Sequence, residues 1–230
     1  KGKIHLTGFM KENMQARDRS SRILSALSAA FGGIFTCNAN KTEMTVGYGT
    51  LYGDLAGALA ATADLWKYQI YELGRALNEW YGQEVIPEGI FTVKPSAELS
   101  ENQDVTKGLG DPLIYEYHDY LLKSFVEPWQ RNTPEDILAW YREGTLEEHL
   151  GCSVKVKDLF PTHAAFIQDL ERWWNLFAGF AVAKRIQAPP LIAISRRPYG
   201  YDLRESQVSP YYTDRYLDMK EEMLKVVKGS

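Results

Sequence analysis

The stretch SSRILSALSAAFGGIFTC, residues 20–37, decides the predicted fold class. Its apolar residues recur at the spacing of one helical face: Ile23, Leu24, Leu27 and Phe31. Gly32 and Gly33 follow them and predict a left-handed helix end. Residues 34–37 are then typical of a short buried strand. A helix, a glycine stop and a strand in this order predict an α/β unit with a parallel sheet.

The composition is that of an ordinary globular protein, with 45% hydrophobic and 24% charged residues among 230. No apolar run approaches the roughly 20 residues that span a bilayer, so we expect no membrane segment. A net charge of −4 gives no general attraction for nucleic acid, and no aromatic platform accompanies the arginines of residues 17–22. Two cysteines suggest neither a disulfide framework nor a zinc site, so a reducing cytoplasm is the expected compartment.

The residues after this α/β unit predict a loop and then a helix. Residues 47–54, GYGTLYGD, are rich in glycine and indicate a loop. Asp64 is a plausible N-cap for a helix that Gly82 ends. Ile70, Leu73 and Leu77 would form its apolar stripe. The next stretch, to Gly110, is irregular, as its many Pro, Gly, Ser and Asn residues indicate.

The remainder of the chain is predicted to be mostly helical. Helices are expected at residues 113–125, from Thr133, from Thr162 to about residue 187, and at residues 212–227. Thr133 followed by proline and two acids is a strong helix start. The aromatic residues Trp173 and Trp174, with Phe177 and Phe180, are better explained as a stripe for core or subunit packing than as a ligand-stacking surface.

Five segments follow one another in an order that resembles the NAD synthetase family. They are ENMQAR at residues 12–17, NKTE at 40–43, TLYGD at 50–54, KPSAEL at 94–99 and KRIQAPP at 184–190. Each motif alone is weakly specific, but the series is strong. Together the motifs lie within the first 110 and the last 50 residues.

The resemblance implies an adenine-nucleotide α-hydrolase-like, Rossmann-like parallel sheet, only partly present, with a mostly helical C-terminal region. Residues 1–110 would be the downstream part of the domain that binds ATP and deamido-NAD, and residues 111–230 a helical region of the same domain. The implied reaction activates the nicotinate carboxylate of deamido-NAD with ATP and then forms NAD with ammonia. In the glutamine-dependent branch an amidase domain supplies the ammonia.

The resemblance also implies a set of ligand-binding residues and no nucleophile or base of the protein's own. The residues implied for ATP are Asn38, Lys67 and Ser96. Those implied for deamido-NAD are Asn13, Arg17, Glu43, Tyr48, Gly49, Thr50, Leu51, Asp54 and Lys184. Glu43 is also the implied ligand of Mg²⁺, a cation that prefers carboxylate and phosphate oxygens.

Simpler structural explanations stand beside several of these assignments. Glu43 could be a helix N-terminal acid, Asp54 a turn-stabilising residue and Ser96 a helix N-cap. The lysines at 67 and 184 could be solvated helix residues. Asn13 and Arg17 are four residues apart and therefore share one helical face, where they could belong to an ordinary surface ion pair. A cation in the first helical turn opposes the helix dipole, which favours a functional reason for Lys67.

Two departures from the family pattern accompany the resemblance. The phosphate-cradling Ser-Gly-Gly-x-Asp-Ser loop and the amidase domain do not occur among the 230 residues. We therefore expect a downstream piece of a longer synthetase. Asn38 also stands where family members often carry a hydroxyl residue, although an amide can still form hydrogen bonds there.

Two functional hypotheses follow. In the first, the chain contributes part of an ATP-dependent ligase site whose substrates are ATP, deamido-NAD and ammonia. In the second, it is a non-catalytic module for oligomerisation and nucleotide binding. A homo-oligomer is expected in either case.

Overall fold

The computed structural model describes residues 5–96, 110–198 and 209–225, and these residues are mostly helical. The helices are α1 Gly8–Arg17, α2 Ser25–Ala30, α3 Lys41–Val46, α4 Lys67–Tyr81, α5 Gly89–Thr92, α6 Tyr115–Val126, α7 Pro134–Glu143, α8 Leu146–Leu150, α9 Val156–Leu159, α10 His163–Asn175, α11 Ala181–Ile186 and α12 Asp214–Lys225. Two π-helical segments, Asp18–Leu24 and Leu176–Phe180, join α1 to α2 and α10 to α11. Residues 97–99 of the KPSAEL motif and residues 226 and 227 of the predicted final helix lie outside the described residues.

The chain forms two compact units that interleave along the sequence. The first unit comprises residues 1–41, 49–114 and 187–194, and the second comprises residues 42–48, 115–186 and 195–230.

The first unit begins with a helical stretch that is longer than predicted. It starts at Gly8, where Thr7 caps the first turn by accepting the Met10 N–H at 3.2 Å, and not at residue 20. It ends as predicted, because Gly32 adopts the left-handed conformation with φ of 63°. The Gly33 N–H donates to the Ser28 carbonyl at 2.8 Å and closes the last turn.

Among the described residues of the first unit, parallel pairing is limited to two bridges, Thr36 with Leu59 and Ala60 with Leu191. The described residues contain no longer strand. The prediction of a buried strand at residues 34–37 is therefore wrong in detail: Cys37 is buried, but Ile34 is 72% exposed. The parallel direction of the bridges is the one that the sequence predicted, whereas a full parallel sheet is not confirmed.

The prediction that Asp64 caps a helix is wrong. Helix α4 begins three residues later, where the Trp66 N–H donates to the Gln69 side chain at 3.0 Å. Asp64 is buried and its Oδ1 accepts a hydrogen bond from Lys41 Nζ at 2.8 Å. Its Oδ2 accepts the Ile194 N–H at 2.6 Å. Asp64 therefore fixes three distant chain segments within the first unit.

Helix α4 ends at Gly82 as predicted, in the left-handed conformation, but its apolar stripe is not buried. Leu73 is 47% exposed and Leu77 is 37% exposed. Trp80, at the end of the helix, is 86% exposed. The periodicity correctly predicted the helix, but the apolar face of the helix is exposed.

The second unit has a helical core close to the one predicted. Helix α7 packs against α8, α10 and α12. Tyr117 and Leu121 of α6 and Trp173 of α10 are fully buried, and Trp174 is nearly so, which confirms that the tryptophans belong to the core. The predicted helix start at Thr133 is confirmed, because its N–H and hydroxyl both bond to the Asp136 carboxylate.

A tyrosine of helix α12 attaches this helix to α10 through a hydrogen bond to a carboxylate. The Tyr216 hydroxyl donates to Glu171 Oε1 at 3.1 Å. Burial and the adjacent Glu171 carboxylate raise the pKa of Tyr216 well above its usual value and raise the pKa of Tyr212 to about 12.

We expect the thermal stability to fall as the pH rises above about 10, the ordinary tyrosine pKa. The unfolded chain loses these tyrosine protons there while the folded chain keeps them, so the unfolded state is favoured. Melting temperatures measured between about pH 8 and about pH 11 should fall less for the Tyr212→Phe/Tyr216→Phe double variant than for the unmodified chain. An equal fall in both proteins would contradict the assignment.

Candidate functional site

A hydrogen-bonded cluster in the first unit joins helix α1 to the glycine-rich loop. The Thr50 hydroxyl is 3.1 Å from the Asn13 side-chain oxygen. The Thr50 N–H donates to Asp54 Oδ1 at 3.0 Å. Asn13 also donates to the Phe9 carbonyl at 2.9 Å, which fixes its side chain along the helix. Three residues that the sequence singled out are thus in direct contact.

Arg17 is the cation of this cluster. Its Nε donates to the Leu51 carbonyl at 3.1 Å. The side chain is exposed, and its two terminal NH₂ groups make no hydrogen bond to other described residues. Two parallel N–H groups in one plane suit a carboxylate or a phosphate. The arginine is therefore positioned by one nitrogen and can bind an anion with the other two.

Close backbone approach explains the glycines of the loop. A Cβ atom on Gly49 would lie 2.7 Å from Asp54 Oδ2 and 2.6 Å from a Leu55 carbon. A Cβ on Gly53 would lie 3.1 Å from the Ala16 carbonyl carbon of helix α1. The loop consequently folds tightly around the Asp54 carboxylate, whose contact with Thr50 is one that a turn-stabilising aspartate also makes.

The three residues predicted to bind ATP also belong to the first unit, at separate positions. Lys67 is the first residue of α4, and its Nζ lies 5.3 Å from the centre of the Tyr71 ring. Asn38 is exposed and accepts a hydrogen bond from the Thr36 hydroxyl at 2.9 Å. Ser96 is half-buried and is the last described residue before residue 110.

The second unit contains the other predicted site residues. Tyr115 donates a hydrogen bond to Glu43 Oε1 at 2.9 Å, and the Tyr48 N–H donates to the Glu43 carbonyl at 2.8 Å. The Thr42 hydroxyl donates to Asp119 of α6. Helix α3 is thus fixed to α6 by side chains on both sides of its glutamate. The Tyr115 contact was not predictable from the motif, because the two residues are 72 positions apart.

Lys184 is held against the end of helix α3 in the second unit. Its Nζ donates to the Gly47 carbonyl at 2.6 Å. A Cβ on Gly47 would lie 2.9 Å from Lys184 Cδ and 3.0 Å from the Ala181 Cα, so only glycine allows this approach. Gly47 also has a φ of 66°, which glycine adopts without strain.

Glu43 fits a Mg²⁺ ion as one ligand among several. Its carboxylate is half-buried, and the hydroxyl of Tyr115 orients one of its oxygens. Within the described parts of the chain no group of three or more His, Cys, Asp or Glu side chains could hold a metal. Mg²⁺ is commonly bound by one or two carboxylates together with substrate phosphates and water. A single glutamate is therefore compatible with a site in which phosphates and water provide the other ligands.

Comparisons with known proteins place these residues in a family. The NAD synthase family model matches residues 2–149. A glutamine-dependent NAD(+) synthetase of Thermotoga maritima is 42% identical over 127 residues, which are 55% of this chain and 21% of that protein. One from Xanthomonas campestris pv. campestris is 34% identical over 195 residues, which are 84% of this chain and 30% of that protein.

A solved structure shows a similar fold. The crystal structure of a glutamine-dependent NAD(+) synthetase from Cytophaga hutchinsonii matches 92% of this chain and 30% of its own, with a TM-score of 0.54 and 18% identity. The chain belongs to the NAD synthase family and spans less than a third of the length of these relatives. No helix among the described residues is long and apolar enough to cross a membrane.

Proposed function

We propose that the protein adenylates deamido-NAD with ATP and amidates it with ammonia to give NAD, and that this chain supplies part of the site. The observation that carries the proposal is the cluster of Asn13, Arg17, Thr50 and Asp54, in which two motifs of the family meet through hydrogen bonds. The matched relatives are named as NAD synthetases, which agrees with this chemistry.

The reaction explains why the site needs no nucleophile from the protein. An oxygen of the nicotinate carboxylate attacks the α-phosphorus of ATP, and pyrophosphate leaves. Ammonia then attacks the acyl carbon, AMP leaves, and the nitrogen loses a proton to give the amide. The protein's tasks are to align the reactants, to balance phosphate charge and to keep water from the acyl-adenylate.

In the first unit, Arg17 would bind an anionic group of deamido-NAD through its terminal N–H groups. Asp54 would accept a hydrogen bond from a ribose hydroxyl through Oδ2, which accepts none from other described residues. Asn13, Gly49, Thr50 and Leu51 would shape the same surface. Lys67, Asn38 and Ser96 would contact ATP, with the lysine charge directed to the phosphates.

In the second unit, Glu43, Tyr48 and Lys184 would serve deamido-NAD, and Glu43 would also bind Mg²⁺. The ion, when bound, would neutralise phosphate charge during adenylation. The orientation of Glu43 by Tyr115 and the anchoring of Lys184 to a carbonyl hold both groups in fixed positions. Fixed positions favour catalysis, because less reorganisation is needed when charge develops.

Other parts of the reaction would come from segments outside these 230 residues. We propose that a phosphate-binding loop and a glutamine amidase domain complete the enzyme in the cytoplasm. We propose likewise that residues 1–110 form the downstream part of an adenine-nucleotide α-hydrolase-like domain with a parallel sheet. Residues 111–230 would be its helical region.

Calorimetric titration of the chain with deamido-NAD tests the substrate assignment. We expect saturable binding that weakens about tenfold or more in Arg17→Ala, since a charge-assisted hydrogen-bond pair contributes on the order of 1.5–3 kcal/mol. The matched control is Arg19→Ala, which removes an exposed arginine two residues along that takes no part in the hydrogen bonds of the cluster. Equal affinities in the two variants would remove Arg17 from the site.

A non-catalytic module for assembly and nucleotide binding is the second candidate. The exposed apolar face of α4, with Leu73, Leu77 and Trp80, favours it, because contiguous apolar surface commonly marks an interface. A chain that sediments as a homo-oligomer and gives no heat with deamido-NAD would favour a pure assembly role over the first candidate.

A further inference from the structure

A cavity in the first unit lies beside the cluster of Asn13, Arg17, Thr50 and Asp54. Its volume is about 210 Å³, and its lining includes Leu51, Tyr52 and Leu55 of the glycine-rich loop together with Gln187 and Pro189. Binding pockets for whole drug-sized ligands are roughly 300–1,000 Å³. This cavity is therefore sized for one part of a dinucleotide, not for the whole molecule.

Tyr52 lines this cavity in an unfavourable backbone conformation. Its φ is 60°, and among the described residues it is the one non-glycine residue with positive φ. Large side chains rarely adopt this region. The aromatic ring is nevertheless 64% exposed, so packing of the ring in the core does not explain the conformation.

Two side chains of the first helical stretch hold this conformation in place. Ser21 donates a hydrogen bond to the Tyr52 carbonyl. Arg17 donates to the preceding carbonyl, that of Leu51, at 3.1 Å. The two bonds fix the backbone on either side of the Tyr52 Cα. The backbone of a residue that lines the cavity is consequently held in place by contacts that do not involve its aromatic ring.

The other lining residues suit a flat heteroaromatic ring. Leu51 and Leu55 provide apolar surface, and the Gln187 side chain carries both a donor and an acceptor. An exposed tyrosine stacks readily on a flat base, and such stacking tolerates different bases because each has a π-face. Gln187 and Pro189 belong to the KRIQAPP motif, and nothing in the sequence assigned these two residues a role.

We infer that this cavity binds the heteroaromatic ring of a nucleotide, with Tyr52 stacking on the ring face and Gln187 bonding to the ring edge. The inference rests on the proposed function, because the ring would be the nicotinate or the adenine of deamido-NAD. Both rings are flat and carry edge nitrogens or oxygens, and the shared chemistry is what the cavity recognises.

The test compares Tyr52→Gly, Tyr52→Phe and the unmodified chain in titrations with deamido-NAD, nicotinate mononucleotide and AMP. Glycine adopts positive φ without strain, so Tyr52→Gly should fold with a melting temperature at or above that of the unmodified chain. We expect its affinity for deamido-NAD to fall about tenfold, the scale of one lost base–aromatic stack. Tyr52→Phe keeps the ring and should bind within about twofold of the unmodified chain.

The titrations with the two mononucleotides identify which ring the cavity binds. The cavity binds the ring of the mononucleotide whose affinity falls in both Tyr52→Gly and Gln187→Ala. Deamido-NAD affinity that is unchanged in a folded Tyr52→Gly would overturn the cavity assignment and leave the proposed function intact. Absence of deamido-NAD binding by the unmodified chain would overturn both.

Discussion

Replacing Lys41 with methionine is expected to lower the free energy of unfolding by roughly 3–5 kcal/mol, the usual cost of leaving one charge of a buried ion pair uncompensated. The Lys41 and Asp64 side chains are 1% and 0% exposed, and their charged atoms are 2.8 Å apart. Lys41 Nζ also lies 5.1 Å from the centre of the Trp66 ring. In Lys41→Met the Asp64 carboxylate would keep the Ile194 N–H but lose the ammonium group of Lys41.

Urea unfolding measures this effect, and two variants serve as controls. Arg22→Met removes an exposed ion pair with Asp18 in the same unit and should leave the unfolding midpoint unchanged. The double variant Lys41→Met/Asp64→Leu removes both buried charges and should recover much of the loss, because no buried charge then remains unpaired. A Lys41→Met midpoint equal to that of Arg22→Met would show that the ion pair does not stabilise the first unit.

Replacing Lys67 with alanine is expected to lower the rate of NAD formation by a factor of about 10² or more, as the loss of one transition-state donor does in other enzymes. The assay mixes this chain with a separately expressed polypeptide that carries the phosphate-binding loop of an NAD synthetase, and supplies ATP, Mg²⁺, deamido-NAD and ammonia. Lys67→Arg keeps the charge and should retain more activity than Lys67→Ala.

Arg75 offers a matched control for this prediction. It lies on helix α4, eight residues after Lys67, and its guanidinium is 4.6 Å from the centre of the Phe91 ring. Arg75→Ala removes a cation from the same helix and should leave the rate nearly unchanged. If Lys67→Ala lowered only the melting temperature, with the rate per folded molecule unaltered, Lys67 would be a structural residue.

The elements that the sequence predicted correctly are those whose ends are fixed locally. Thr133 and Asp136, three residues apart, form their capping contacts within one helical turn. Gly32 and Gly82 adopt the left-handed conformations that end helices. Such signals depend on neighbouring residues alone, and for that reason they can be recognised without knowledge of the tertiary fold.

The predictions that were wrong concern residues whose partners are distant in the sequence. Aspartate is a common N-cap residue, but the hydrogen-bond partners of Asp64 are 23 and 130 residues away in the sequence, and Asp64 is buried. The helical period predicted for Leu73 and Leu77 is confirmed by α4, but periodicity alone does not say whether that face is buried, and both residues are exposed.

The candidate site was predictable to a similar degree. A spacing of four residues placed Asn13 and Arg17 on one helical face, and the structure agrees. Asn13 contacts Thr50, which is 37 residues away in the sequence, and Arg17 contacts Leu51, which is 34 residues away. No local sequence pattern predicts contacts over such separations. The same holds for Tyr52, since a tyrosine gives no local signal for positive φ, whereas glycine or asparagine would have.

The most direct measurement of the central claim is the transfer of ¹⁵N from labelled ammonia into NAD by the mixture of this chain and the phosphate-loop polypeptide. We predict that the mixture forms ¹⁵N-labelled NAD together with equal amounts of unlabelled AMP and pyrophosphate. Neither polypeptide alone should form labelled NAD. A mixture in which both polypeptides are folded and associated, yet in which deamido-NAD and ATP stay unchanged, would contradict the proposal that this chain supplies part of an amide-forming site.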